Sequence, residues 1–184
     1  MSSMLRVFVT LLGLALLTGC AGFRFGETAD LGAWPAAKEQ KPSLRYVVQG
    51  GVKQNGTPAA AAPIQLKAWS EKVGKAYTDS GLFSSVSEGF GDADVVAEVK
   101  VTSDGHGNMP LAFLCGFTFG VIPATGKEVI ITETTYRDRQ GNVLAQLRKQ
   151  DGVRMWIHIL LLPGALVANP FTQLNEVHYD NNKA

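Results

Sequence analysis

Two cysteines and three histidines are the side chains of this sequence best suited to act as nucleophiles, bases or metal ligands, and they are scattered. His106, His158 and His178 share no paired spacing, whereas a metal site draws on His, Cys, Asp or Glu at short offsets. Asp104 and His106 fall in one glycine-rich stretch, Ser103–Asn108, and are the nearest approach to an acid–base pair. An exposed polar turn explains two such residues better. Asp94 and Glu98 sit four apart on one expected strand, not opposed across a cleft as a glycosidase's carboxylates would be. Ser80, Ser84 and Ser85 lack the strand–turn–helix setting of an activated serine. Gly116-Phe117-Thr118-Phe119-Gly120 has no Gly-Lys-Ser/Thr after it and is no phosphate loop. No catalytic residue, metal ligand or dissociable cofactor is therefore assigned. A periplasmic enzyme of unknown reaction near Asp104 and His106 is the minor alternative.

The remaining reactive candidates are the cysteines. Cys115, between Leu114 and Gly116 in an apolar setting, reads as a buried thiol acting as a small hydrophobe. Cys20 is different, because it ends the run MSSMLRVFVTLLGLALLTGC. Arg6 followed by a short apolar stretch to Leu17 has the form of a secretory signal peptide. The stretch is short for a membrane-spanning helix, which needs about 20 apolar residues. Thr18 and Gly19 are small enough to enter a protease cleft as extended chain.

Leu17-Thr18-Gly19-Cys20 resembles the lipobox of bacterial lipoproteins. That resemblance implies a diacylglyceryl thioether on Cys20, cleavage before it and an N-acyl chain on its new amino group. One acyl chain holds a protein marginally and two suffice, so the anchor would be firm. Residues 1–19 are then the signal peptide, and 20–43 the lipidated N-terminus and tether. Ala21 and Gly22 follow the cysteine where an aspartate would favour retention at the inner membrane. The resemblance thus implies an outer-membrane anchor with the domain facing the periplasm.

The 17 basic and 16 acidic residues nearly balance. No Lys/Arg cluster of the kind that nucleic acid needs is present. The expected partners are membrane lipid, through the anchor, and an envelope protein.

These residues need a scaffold, and the hydrophobic pattern supplies one. Leu44–Gln49 reads as a first strand, ended by Gly50 and Gly51. Pro63 can open a helix, on which Leu66, Trp69, Val73 and Tyr77 form a core-facing stripe up to a stop at Asp79-Ser80-Gly81. From Ala93 to Thr102 the pattern alternates. Val95, Ala97, Val99 and Val101 share one face; Glu98, Lys100 and Thr102 share the other. Strands are expected over 128–137 and 142–149, joined by the turn Asp138-Arg139-Gln140-Gly141, with another over 153–159. A short helix is expected over 171–177. The sum is an α+β class: a small antiparallel or mixed sheet against one or two helices, in a single domain over 44–177 with a frayed polar tail, 178–184.

Two apolar, uncharged stretches carrying glycine and proline do not read as ordinary loops. They are MPLAFLCGFTFGVIPA, 109–124, and MWIHILLLPGALVANP, 155–170. Three readings are open: core packing, an exposed patch gripping a protein or the lipid surface, or a groove for an apolar ligand. The candidate contact residues are Phe113, Phe117, Phe119, Trp156, Leu160 and Leu161. His158, inside the second stretch, is expected to be a hydrogen-bonded core histidine.

The phrases Ser80-Gly81-Leu82-Phe83-Ser84-Ser85-Val86 and Ala93-Asp94-Val95-Val96, with the lipobox and the two apolar stretches, resemble a loose group of uncharacterised bacterial outer-membrane lipoproteins. The helix-to-strand phrase also looks like small α/β domains of envelope-assembly lipoproteins and the amino-terminal domain of TolB. Those resemblances imply a non-catalytic accessory or binding role in envelope assembly or transport. The alternative is a carrier of a lipid or small apolar ligand.

Overall fold

Seven strands form one sheet, and two helices cover one of its faces. The computed structural model describes residues 19–26, 36, 39–161 and 168–183. In chain order the elements are β1 (Gly19–Gly26), β2 (Ser43–Gln54), β3 (Thr57–Ala60), α1 (Pro63–Asp79), β4 (Ser85–Glu88), β5 (Val95–Gly107), α2 (Met109–Phe117), β6 (Ala124–Asp138), β7 (Val143–His158), a 3-10 turn (Ile159–Leu161) and α3 (Pro170–Asp180). The sheet order is β1-β7-β6-β5-β2-β3, with β4 also on β2. β2 runs parallel to β4 and β5, and the other pairs are antiparallel. The expected α+β class with a mixed sheet holds.

Alternation decides the two faces. Ala97, Val99 and Val101 of β5, Ile130 of β6 and Val153 of β7 are buried beneath α1 and α3, where Trp69, Val73, Tyr77 and Val177 meet them. Glu98 and Lys100 stay exposed on the opposite face. There they pair with Arg137 and Glu133 respectively, and Arg148 also reaches Glu133.

Several expected boundaries give way to longer elements. Gly50 and Gly51 do not end β2, which runs on to Gln54. At Gly50 the Trp69 ring and the Val101 carbonyl come so close that a Cβ would overlap both, so this glycine permits close packing. The strands expected over 142–149 and 153–159 are one strand, β7, passing through Asp151-Gly152. The stretch 103–108, expected as a loop, is mostly the end of β5.

Larger differences lie at the two ends of the chain. Gly19–Gly26, expected as the last signal residue and the start of a tether, is an edge strand paired with β7 from Gly19–His158 to Gly26–Asp151. The tail is also packed: α3 continues to Asp180, and His178, Asn181 and Asn182 are buried. Asn181 Nδ2 donates to Thr132 Oγ1 at 3.4 Å, and Asn182 Nδ2 to the His178 carbonyl at 2.8 Å.

One charged cluster ties β1 to the rest. Arg24 donates to Asp151 Oδ2 of β7 and to Asp180 Oδ2 of α3, both at 2.7 Å. The Asp151 side chain is fully buried. Burial works against the Arg24 charge, but the two carboxylates outweigh it and raise the guanidinium's pKa further. Nearby, Gly22 lies against Pro170 so closely that a Cβ there would strike its ring.

Candidate functional site: an apolar end beside Cys20

The end of the sheet where β5 and β7 finish and β1 and β6 begin carries the first apolar stretch. Asn108 caps α2 by accepting from the Leu111 amide at 3.0 Å, and Pro110 sits in the first turn, where its missing amide costs nothing. Thr118 closes the helix. Its hydroxyl donates to the Leu114 carbonyl at 2.8 Å and accepts from the Ile122 amide at 3.1 Å. Phe119 then takes a left-handed backbone, φ 51°. For a bulky residue that conformation is disfavoured by about 1–2 kcal/mol.

The core reading fails for most of 109–124: of α2 only Cys115 is buried, and beyond it only Gly120 and Ala124 are. Phe113 is 78 % exposed, Phe117 77 %, and Phe119 58 %. Met109, Leu114, Val121 and Ile122 are exposed too. Met109, Phe113 and Phe117 recur every four residues and so share one face of the helix. From the second stretch, Trp156 and Leu160 are exposed. Leu161 is only half-buried, and residues 162–167 lie outside the described residues. His158 is half-buried, and its Nδ1 accepts from the Leu160 amide at 3.2 Å.

Cys20 belongs to this same end. Its strand partner is Ile157. Ile157 in turn pairs with Ala124 of β6, and its carbonyl faces the Cys115 thiol at 3.9 Å. The Ile159 amide donates to the Gly120 carbonyl at 3.0 Å, which fastens the 3-10 turn to the loop after α2. The Cys20 thiol is half-buried, and its pKa is raised by that burial and then by Cys115. Gly19 is described here; Leu17, Thr18 and the apolar run before them lie outside the described residues.

The nearest acid–base candidate sits where the β2–β3 turn meets β5. His106 Nε2 lies 3.3 Å from Asp104 Oδ1, and that oxygen also accepts from the Gly56 amide at 3.4 Å. Asn55 brackets Gly107 with two hydrogen bonds, so the group pins the β2–β3 turn onto β5. Among the described residues no three His, Cys, Asp or Glu gather as a metal site would require, and no helix is long and apolar enough to cross a membrane.

Sequence reasoning found the apolar residues but not their shared location with Cys20. The signals for α2 were present in Asn108 and Pro110. Nothing local revealed that β1 would bring Cys20 to Ile157, because that is a pairing across more than a hundred residues.

No protein-family model matches the chain, and no curated protein sequence does. Among solved structures, a dodecamer of PelC from Paraburkholderia phytofirmans aligns with 89 % of this chain and 97 % of its own, at 11 % identity and a TM-score of 0.39. A likeness of that degree carries nothing over from that protein.

Proposed function

We propose that this chain is a lipid-anchored accessory module of the bacterial cell envelope, working by binding rather than catalysis. Cys20 carries the diacylglyceryl and N-acyl groups, and the domain faces the periplasm from the outer membrane. The motif Leu17-Thr18-Gly19-Cys20 behind an apolar run supports the anchor. The observation that carries the binding role is the exposed apolar end, where Phe113, Phe117, Phe119 and Leu160 stand out of the fold. Contiguous exposed apolar surface is unfavourable for a solitary domain in water and marks a contact site.

Cys20→Ala in the full-length chain tests the anchor. Labelled palmitate should vanish from the protein, and the domain should leave the membrane fraction. Unchanged membrane retention with no acylated product in the parent chain would sink the reading.

A further inference from the structure

We infer that the apolar end is a bilayer-seating surface: α2, the loop through Ile122 and the 3-10 turn dip into the lipid leaflet that holds the acyl chains of Cys20. The inference rests on the lipoprotein reading and goes further by naming what covers the patch.

The first support is the absence of slack. A lipidated residue followed by a flexible tether lets its domain float clear of the membrane. Here Cys20 is itself a sheet residue, paired with Ile157, so the acyl chains leave directly from the folded surface. Whatever surrounds Cys20 is therefore held at the lipid. Through its strand partner Ile157, Cys20 adjoins Cys115 of α2 and the 3-10 turn, which is itself fastened to Gly120.

The second support is the chemistry of that surface. Residues 108–124 hold no charged side chain. A helix apolar on nearly every side belongs in a core or in lipid, yet α2 buries only Cys115 in this fold. Its nine residues span about 14 Å at 1.5 Å each, under half the hydrocarbon thickness, so it can lie in the interface but not cross it. The left-handed backbone of Phe119 holds one more exposed ring on the same end.

The third support is the position of charge. Strand pairing sets His106, Lys127 and Arg154 in one row across β5, β6 and β7. Lys127 and Arg154 are exposed. The row lies three residues from the Ile157–Cys20 level, about 10 Å back along the strands. With the tip at the acyl boundary, this row meets the headgroup layer, where Lys and Arg can keep their stems on apolar surface and their charges among phosphates. The far end carries the polar Asp138–Asn142 turn, with Val143 and Leu144 exposed beside it.

The test uses the full-length chain in a diderm bacterium, with benzoylphenylalanine placed at Phe117, at Leu160 or, as the far-end control, at Leu144, which is 57 % exposed. Palmitate on Cys20 is followed in the same cells. Phospholipid adducts at Phe117 and Leu160, at least tenfold above Leu144, are expected. Phe113→Asp should leave the palmitate in place and abolish the Leu160 adduct. With Cys20 acylated, adducts to a protein at these positions, equal yields at all three, or none would overturn the inference. If Cys20 is not acylated, phospholipid adducts confined to Phe117 and Leu160 would sink the anchor and uphold the seating surface. Their absence would overturn both.

Discussion

Arg24→Ala should be the most damaging single change outside the hydrophobic core. Arg24 gives one charge-assisted hydrogen bond to each of two carboxylates at 2.7 Å. Asp180 is about a quarter exposed and can regain water. Asp151 has no exposed side-chain surface and cannot. Removing one partner of a buried ion pair costs about 3–5 kcal/mol, and the Gly152 amide, still donating to Asp151 Oδ1 at 2.8 Å, puts the expected loss toward the lower end. Domains of this kind are stable by about 5–15 kcal/mol, so the loss is a large share. Urea unfolding of acyl-free Cys20→Ser chains, with and without Arg24→Ala, reads it directly. Adding Asp151→Asn should return part of the loss, since the buried side chain then carries no charge to desolvate. A cost below about 1 kcal/mol, or strict additivity of the two changes, would refute the account of Arg24 as the bond between β1 and the core.

Two further outcomes follow from the packing under the helices. His178 is buried against the Trp69 ring, at 5.6 Å between centroids, and burial, with Lys72 adding, lowers its pKa from 6.5 to about 4. The unfolded chain therefore takes up a proton near pH 6.5 that the folded one refuses until about pH 4. Stability should fall across that window by about 3 kcal/mol and level off below it. His178→Gln should flatten that part of the stability profile, and an unchanged acid slope in the variant would count against it. Gly74 of α1 faces the Tyr46 hydroxyl so closely that a Cβ would overlap it. Gly74→Ala should cost about 1–3 kcal/mol by overpacking. Tyr46→Phe should recover part of it; thermal unfolding of the three chains decides.

Elements with strong periodicity were legible in the sequence, and those defined by distant partners were not. The stripe Leu66, Trp69, Val73, Tyr77 and the alternation of β5 each encode a buried face locally. In β1, Arg24 stands between Phe23 and Phe25, a faint period of two inside a glycine-rich segment. Only the register with β7 and the carboxylates of Asp151 and Asp180 make it a strand. Gly50-Gly51 misled for the complementary reason: glycine ends many strands, but here it admits an indole ring. At the candidate site the residue types were readable and the exposure was not. An apolar run of 16 residues looks the same whether a core or a bilayer is to receive it, and tertiary context makes the choice.

The seating of Cys20 at the start of β1 also has a mechanical side. Under the proposed anchor, a pull directed along the axis of β1 enters the domain at Cys20. The backbone hydrogen bonds to β7 lie across that axis, so every pair from Cys20–Ile157 to Gly26–Asp151 is loaded together, in shear. Peeling would break them one at a time; shear must break them at once. Arg24, near the inner end of the strand, works as the pin of that joint. Under the proposed anchor, a domain drawn away from the membrane along β1 should deform the lipid before it gives up its first strand, whereas a sideways drag would load the same pairs in peeling.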